Sequence, residues 1–387
     1  MLSSGLHRTA GCLLGVLLAL SFLLPSLAPH TFAAGEKPEV SASAAVLIEA
    51  ESGRTVFEKN ADEQRSMAST TKIMTGILAL ELEDPKTLVT VSPRAVGVEG
   101  SSIYLYQNEQ LTMEDLIYAV MLESANDAAA AVAIEVAGSI DAFAELMNEK
   151  AEELGLTHTH FENPHGLDAE EHYTSARDLA QLARYALQNE EFCRIVSTQR
   201  RVIPLRGSDG SRLLLNHNRL LRTYSGAIGV KTGFTKKSGR CLVSAAERDG
   251  VRLIAVTLNA PDDWRDHTAM LNYGFSCLQR VALAREQAVS VSVPVVGGTA
   301  SSVLVSNDTA LSVTLSKNAE EPVLVLELRS FYYAPVQAGE TLGRAVWYLD
   351  DTEIGSVELK AMETVEKAPD KRNFFRRFLD WLGELFR

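Results

Sequence analysis

A serine and a lysine three residues apart, inside an apolar run, constrain this chain more than any other feature. Ser69 and Lys72 lie in the stretch MASTTKIMTGIL at residues 67–78. On a helix, residues three apart share a face, so the hydroxyl and the amine would meet. Burial among apolar residues lowers the pKa of a lysine, which lets it take a proton from a serine. The spacing therefore indicates a nucleophile with its base, although a lone Ser-x-x-Lys also fits a solvated helix turn.

Two further motifs follow in an order that fits the same chemistry. Ser124-Ala125-Asn126 falls at a predicted corner between two helices, the second of which Asn126 would cap and Gly138 would end. Lys231-Thr232-Gly233 lies in a predicted strand over residues 229–235. With the first pair, these motifs match the set that penicillin-binding proteins and class A β-lactamases use for acyl transfer, except that the set has Asp where this chain has Ala125. Three such motifs in order argue against a chance match.

The chain resembles the low-molecular-mass penicillin-binding proteins that are D-alanyl-D-alanine carboxypeptidases. The likeness covers nearly the whole chain and includes ESANDAA at 123–129, FENPHGL at 161–167 and HYTSARDLA at 172–180. It implies an α/β (α+β) domain of the serine β-lactamase and transpeptidase type, in which helices pack on an antiparallel sheet. A small all-β sandwich and a C-terminal amphipathic helix would follow. The residue patterns themselves also predict the strands of the sandwich and the C-terminal helix.

The resemblance implies an acyl-enzyme reaction. Ser69 would attack the carbonyl between two D-alanines, Lys72 would be the base, and Ser124 would relay protons. The implied reaction removes the terminal D-alanine from peptidoglycan pentapeptides, and β-lactam antibiotics would be covalent inhibitors. Water would then hydrolyse the ester, so neither a metal nor another cofactor is expected.

The resemblance also implies a substrate-binding set. Lys231 and Thr232 would meet the terminal carboxylate, and Asn126 would hydrogen-bond the substrate backbone. Gly233 would let the substrate lie against the strand edge as an added strand. The backbone N–H groups of Ser69 and Phe234 would form the oxyanion hole.

Other roles remain open at this point. D,D-endopeptidase action on cross-links is one, β-lactamase activity is another, and a non-catalytic wall-binding scaffold is a third. Glu162 stands where class A β-lactamases carry a deacylating glutamate, but the residues after it match the carboxypeptidases. We expect structural hydrogen bonds from His165 and His172. Arg265 either binds the substrate carboxylate or forms a surface ion pair.

The two ends of the chain predict export and membrane contact. Residues 12–27 are almost wholly apolar and precede Thr31-Phe32-Ala33, which predicts a signal peptide over 1–34; an uncleaved anchor is the alternative. Residues 370–387 carry Phe, Trp and Leu at helical spacing among basic residues, which predicts a helix lying on the membrane surface. Docking on the protein itself or on a partner is the alternative. The enzyme would then act peripherally at the outer face of the cytoplasmic membrane.

Two domains are predicted between these ends. Residues 35–280 would form the catalytic domain and residues 286–366 the sandwich, where VSVSV at 289–293 alternates strictly. A length of 387 residues accommodates both, and a net charge of -13 argues against a nucleic-acid partner. Three cysteines remain after the signal, an odd number without metal-ligand spacing, which favours single buried thiols; one disulfide is the alternative in an exported protein.

Overall fold

The computed structural model describes residues 36–205, 210–369 and 371–385. The predicted signal peptide, 1–34, lies outside these residues. Within them, the thiols of Cys193, Cys241 and Cys277 are free, as the cysteine count predicted.

Antiparallel strands dominate the described chain. The strands are β1 (Ala44–Glu49), β2 (Thr55–Lys59), β3 (Leu88–Thr90), β4 (Gln110–Thr112), β5 (Arg200–Pro204), β6 (Ser211–Leu215), β7 (Ala227–Thr235), β8 (Gly239–Arg248), β9 (Val251–Leu258), β10 (Leu278–Ala284), β11 (Ser290–Val296), β12 (Ser302–Ser306), β13 (Leu311–Ser316), β14 (Val323–Leu328), β15 (Tyr332–Tyr333), β16 (Thr341–Leu349) and β17 (Thr352–Ala361). The central sheet of the first domain has the order β2-β1-β9-β8-β7, and each neighbouring pair is antiparallel. β7 is therefore an edge strand.

Helices cover both faces of this sheet. They are α1 (Lys72–Leu82), α2 (Met113–Tyr118), α3 (Asn126–Ala137), α4 (Ile140–Glu153), α5 (Ala176–Ala186), α6 (Glu190–Ser197), α7 (Leu220–Thr223), α8 (Asp263–Cys277) and α9 (Lys371–Leu385). Strand side chains alternate between faces. Val46 and Val256 accordingly pack in one core with α1 and α5, while Leu47 and Leu253 pack in a second core with α8. The sheet is thus the middle layer of three.

The sequence predicted that Asn126 caps α3 and that Gly138 ends it, and only the second prediction is correct. Thr112 caps α2 by accepting a hydrogen bond from Asp115 N at 3.2 Å, and Gly138 ends α3 in a left-handed conformation. The N-cap of α3 is Ala125, and no side chain caps this helix. The capping prediction for Asn126 is wrong because its amide binds two groups outside the helix, Lys72 and the carbonyl of Glu99.

A β-rich domain follows, as the sequence predicted. β10 pairs with β13, and six strands form a second sheet in the order β14-β16-β17-β12-β11-β15. Its core includes Val305, Ala345, Trp347 and Leu359. β10 begins directly after α8, so the polypeptide enters this domain through the residues around Cys277.

The last described helix, α9, presents apolar side chains to solvent. Phe375, Phe378, Leu379, Trp381 and Leu385 are between 44% and 65% exposed. Phe378 stacks on Trp381 with ring centroids 5.9 Å apart. Among the described residues, no helix combines the length and the apolar character needed to cross a bilayer.

Candidate active site

The predicted nucleophile lies on a tight turn that leads into α1. Residues Ala68–Thr71 form a 3-10 turn, and Ala68 has a left-handed backbone with φ of 48°. Thr71 Oγ1 donates to Ala68 O at 2.8 Å and so closes the turn. Ser69 is half-buried at the surface of this turn, while its neighbours are buried. The turn therefore presents one hydroxyl to the cleft.

Lys72 lies directly behind this hydroxyl. Its Nζ is 3.0 Å from Ser69 Oγ, 2.7 Å from Asn126 Oδ1 and 2.5 Å from the carbonyl oxygen of His165. The side chain is fully buried. Burial first, and then the positive charge of Lys231, hold the pKa of Lys72 well below its usual value, while Asp127 opposes the shift. A neutral amine beside a serine hydroxyl can accept its proton.

The second motif lies at the corner that the sequence predicted. A π-helical turn, Ala119–Glu123, ends at Ser124, whose φ of 59° places it in the left-handed region. This conformation turns the chain sharply before α3 and leaves Ser124 on the wall of the cleft. Asn126, the first residue of α3, is buried and binds Lys72 through its side-chain oxygen. Its Nδ2 donates to Glu99 O at 2.6 Å, so the amide is held at both ends.

The third motif lies on β7, the edge strand that borders the nucleophile turn. Lys231 is buried, its Nζ donates to Thr232 O at 2.9 Å, and burial lowers its pKa to about 7. A Cβ on Gly233 would lie 3.0 Å from Ser69 N and 3.1 Å from Thr70 N. Glycine therefore allows the strand and the turn to approach this closely. Phe234, the next residue, is exposed.

These motifs surround a cleft of about 300 Å³. Ser69, Ser124, Thr232, Gly233 and Phe234 line it, whereas Lys72, Asn126 and Lys231 lie behind its wall. Residues that the sequence analysis did not single out also line it: Ser101, His217, Arg240, Asp263 and Trp264. No local pattern marks them, because they reach the cleft from separate elements.

Arg240 is the arginine at the cleft, whereas Arg265 is not among its lining residues. Arg240 Nε lies 3.0 Å from Asp263 Oδ1, and its guanidinium is 5.9 Å from the ring of Trp264. Arg265 is exposed and pairs with Asp262 at 3.2 Å. The structure therefore favours the surface ion pair, one of the two roles that the sequence left open for Arg265.

The loop at residues 163–167 packs against the nucleophile turn and the start of α1. The His165 carbonyl accepts from Lys72, and Gly166, with φ of +85°, passes under the turn. A Cβ on Gly166 would lie only 2.0 Å from Ala68 O. Thr75 Oγ1 also donates to Pro164 O at 2.6 Å. Backbone atoms of this loop thus occupy the space next to the lysine.

Both loop histidines are neutral and hold the backbone, as expected. Burial, followed by the charge of Lys72, lowers the pKa of His165 to about 3. Burial, followed by His160, lowers that of His172 to about 4. His172 Nδ1 accepts from Glu162 N at 3.0 Å, and its Nε2 therefore donates to Thr71 Oγ1 at 2.8 Å. His172 positions the turn through Thr71.

Glu162 does not take the place of a deacylating base. Its side chain is exposed, and its Oε2 accepts from Glu171 N at 2.8 Å. The position beside Lys72 is taken by the His165 carbonyl instead. Within the residues described, no cluster of three or more His, Cys, Asp or Glu side chains is arranged to hold a metal ion.

Comparisons with known proteins identify the family. Residues 31–262 match the family model described as D-alanyl-D-alanine carboxypeptidase, and residues 279–367 match that of the penicillin-binding protein 5 C-terminal domain. The D-alanyl-D-alanine carboxypeptidase DacF of Bacillus subtilis is 32% identical over 94% of this chain and 97% of its own. DacC of Escherichia coli is 34% identical over 97% and 98%.

Solved structures give the same result. Penicillin-binding protein 5 from Haemophilus influenzae matches 86% of this chain and 100% of its own with a TM-score of 0.67 and 28% identity. A peptidoglycan synthesis regulatory factor (PBP3) from Streptococcus pneumoniae matches 85% and 100% with a TM-score of 0.73 and 25% identity.

Helices around an antiparallel sheet, with a serine and a buried lysine at its edge, define a serine enzyme of the β-lactamase and D,D-peptidase class. Within this class, the chain belongs to the D-alanyl-D-alanine carboxypeptidase family. The family resemblance and the fold class inferred from the sequence are both confirmed.

Proposed function

We propose that this protein is a serine-type D-alanyl-D-alanine carboxypeptidase that removes the terminal D-alanine from peptidoglycan pentapeptides. The observation that carries the proposal is the 3.0 Å contact between Ser69 Oγ and the buried Nζ of Lys72, whose pKa burial lowers. Such a pair can generate an alkoxide-like nucleophile without a histidine. Membership of the family supports the choice of substrate.

In acylation, Ser69 Oγ attacks the carbonyl carbon between the two D-alanines and gives its proton to Lys72 Nζ. The negative charge that forms on the carbonyl oxygen is stabilised by the backbone N–H groups of Ser69 and Phe234. The C–N bond then breaks, and the proton held by Lys72 passes through Ser124 to the leaving amine. Free D-alanine departs, and an ester to Ser69 remains.

In deacylation, a water molecule attacks the ester carbonyl while Lys72, neutral again, takes its proton. The bond to Ser69 Oγ breaks, and the serine recovers the proton from Lys72. The supporting observation is that Lys72 is the titratable group at hydrogen-bond distance from Ser69, because Glu162 is exposed and bound elsewhere.

Substrate binding uses the free edge of β7. An extended peptide can add to this edge through backbone hydrogen bonds, because Gly233 keeps the strand close to the nucleophile turn. The hydroxyl of Thr232, on the cleft wall, donates to the terminal carboxylate, and the positive charge of Lys231 behind that wall attracts it. A β-lactam that carries a carboxylate would bind in the same way and acylate Ser69.

The decisive experiment is mass analysis of the products from a pentapeptide muropeptide. We expect loss of one D-alanine by the parent protein and by the exposed-serine control Ser197→Ala, and no loss by Ser69→Ala. A fluorescent penicillin should label the first two proteins and not the third. Rapid penicillin hydrolysis without D-alanine release would instead identify a β-lactamase, and cleavage of cross-linked dimers alone would identify an endopeptidase.

We also infer that the enzyme is exported and lies peripherally on the outer face of the cytoplasmic membrane. The apolar N-terminal segment, which precedes the described residues, supports export. The exposed apolar side chains of α9, with Arg376 and Arg377 beside them, support contact with an anionic membrane surface.

A further inference from the structure

The edge strand β14 is apolar and exposed along nearly its whole length. Its sequence is VLVLEL, and residues 323–327 are all exposed. β14 is the first strand of the six-stranded sheet and pairs only with β16 among the described strands. Its outer N–H and C=O groups are therefore available to another strand.

Two leucines of β14 lie on the core face and are nevertheless exposed. Leu324 is opposite Trp347 and Leu326 is opposite Ala345 in the antiparallel register with β16. Trp347 and Ala345 are buried in the core of the domain, yet Leu324 and Leu326 are 43% and 40% exposed. The buried core therefore stops at β16, whereas the sheet continues for one more strand, β14. An additional strand carrying apolar side chains would complete it.

β14 itself carries neither lysine nor proline, although Pro322 directly precedes it. Monomeric proteins place lysine, proline or inward-pointing charges on such edges. The one charged residue of β14, Glu327, is paired with Arg344 of β16 at 3.2 Å. Its charge is therefore neutralised by the neighbouring strand and does not repel an incoming one.

We propose that β14 pairs with β14 of a second copy of this chain across a two-fold axis, which joins two six-stranded sheets into one. Two-fold related edge strands run antiparallel, and the same surface serves both partners. Centring the axis on Val325 places Leu324 opposite Leu326 of the second copy. It also places Glu321 opposite Arg329 of the second copy, and Arg329 opposite Glu321. Both residues are exposed in this protein.

The charges favour this register over one of its two neighbours. Side-chain faces match only when the register shifts by two residues at a time. One such shift would place Glu321 opposite Glu327 of the second copy, a like-charged pair that destabilises a sheet. The Val325-centred register instead gives two opposite-charge pairs and a continuous leucine face. This self-complementarity is what favours a second copy over an unrelated protein.

A lipid surface is a poorer occupant of this edge. The unpaired N–H and C=O groups of β14 would lose water without gaining hydrogen-bond partners in hydrocarbon, which costs several kcal/mol per group. A strand from a second copy satisfies those groups and covers the leucines at once. The inference is independent of the proposed function, since it concerns a domain that contributes no residue to the cleft.

Disulfide trapping in membranes that carry the full chain tests the proposal. Val325→Cys places a thiol on the proposed axis, where directly opposite Cβ atoms are about 5 Å apart. Mild oxidation should give a covalent dimer linked through residue 325, as read from the joined peptides. The matched control is Leu304→Cys, which is comparably exposed but lies on β12 inside the same sheet. Equal cross-linking of the two variants, or a product joined to a different protein, would overturn self-pairing.

A charge exchange gives a second readout. Glu321→Arg and Arg329→Glu should each weaken dimerisation about ten-fold in sedimentation equilibrium, because each creates two like-charged pairs. The double variant should restore the parent affinity. Circular dichroism and thermal unfolding check that every variant is folded. The proposal is refuted if the single reversals have no effect on dimerisation or if the double variant does not restore it. It is also refuted if a further variant, Val325→Lys, dissociates from lipid vesicles but still dimerises.

Discussion

The two buried lysines of the proposed site are expected to divide the roles of base and cation. Burial alone lowers the pKa of Lys231 to about 7, whereas Lys72 experiences burial and, in addition, the charge of Lys231. A proton shared between the two sites therefore resides first on Lys231. Lys72 is left neutral and able to act as base, while Lys231 keeps the charge that a carboxylate needs.

This division predicts a bell-shaped pH profile for acylation by penicillin. At low pH the rate falls because Lys72 becomes protonated, and above about pH 7 it falls because Lys231 loses its charge and carboxylate binding weakens. Stopped-flow measurement of kcat/KM across pH checks this. In Lys231→Arg the guanidinium stays charged, so the alkaline limb should disappear while the acid limb remains. A parent rate that keeps rising well above neutral pH would contradict the assignment.

Gly166 is expected to determine the position of the nucleophile. In Gly166→Ala the new Cβ would lie 2.0 Å from Ala68 O, so the turn that carries Ser69 must move. We expect acylation to slow by about 100-fold, since small displacements of reacting groups have effects of that order. Rates of labelling by fluorescent penicillin measure this.

Gly155→Ala is the matched control. Gly155 has a similar left-handed backbone, with φ of +68°, but a Cβ there meets nothing within 4 Å. It should lower the free energy of unfolding by about 1–2 kcal/mol without changing the acylation rate of the folded protein. Equal slowing in both variants would mean that strain alone, and not contact with Ala68, explains the effect.

At the level of elements, local signals predicted most of what the structure contains. The corner at Ser124, the strand with Lys231 and the β-rich second domain all follow from turn residues and periodicity. The role of Asn126 did not, because a buried amine binds its side chain more favourably than a helix N-terminus does. The contact of Lys72 with His165 O joins residues 93 positions apart, and no local pattern contains that information.

α9 is expected to bind membranes without spanning them. Deleting residues 370–387 should give a soluble, active enzyme, because the exposed aromatic and leucine side chains of α9 are removed. Ultracentrifugation with membranes measures the bound fraction. A truncated protein that still pellets would favour the uncleaved N-terminal anchor.

Substitution of the basic residues of α9 distinguishes electrostatic from apolar binding to membranes. Arg376→Gln with Arg377→Gln should weaken binding to anionic vesicles by about 30-fold at low salt, since each arginine near such a surface contributes about 1 kcal/mol. Binding to zwitterionic vesicles should be unchanged, because the apolar side chains remain. Equal loss on both vesicle types would indicate that the arginines stabilise the helix and do not meet lipid headgroups.

At the scale of the whole molecule, the second domain is structurally joined to the first but chemically separate. β10 follows α8 without a break, and the backbone of Cys277 accepts from Lys317 N at 2.8 Å. Every cleft residue, however, lies between Ser69 and Trp264. The sequence predicted two domains with a boundary near 280–286, and this boundary remains a prediction.

Truncation at two nearby positions tests how the domains depend on each other. A chain that ends at Cys277 keeps α8 and, apart from Leu278, both cores of the first domain. Its penicillin acylation rate should stay within about three-fold of the parent, as expected for distant, independent sites. A chain that ends at Ala284 keeps β10 but removes β13, its partner strand. That unpaired edge should make the longer fragment the more aggregation-prone of the two in light scattering. If the shorter fragment folds by circular dichroism yet acylates much more slowly, the second domain must contribute to the cleft through contacts across the segment around Cys277.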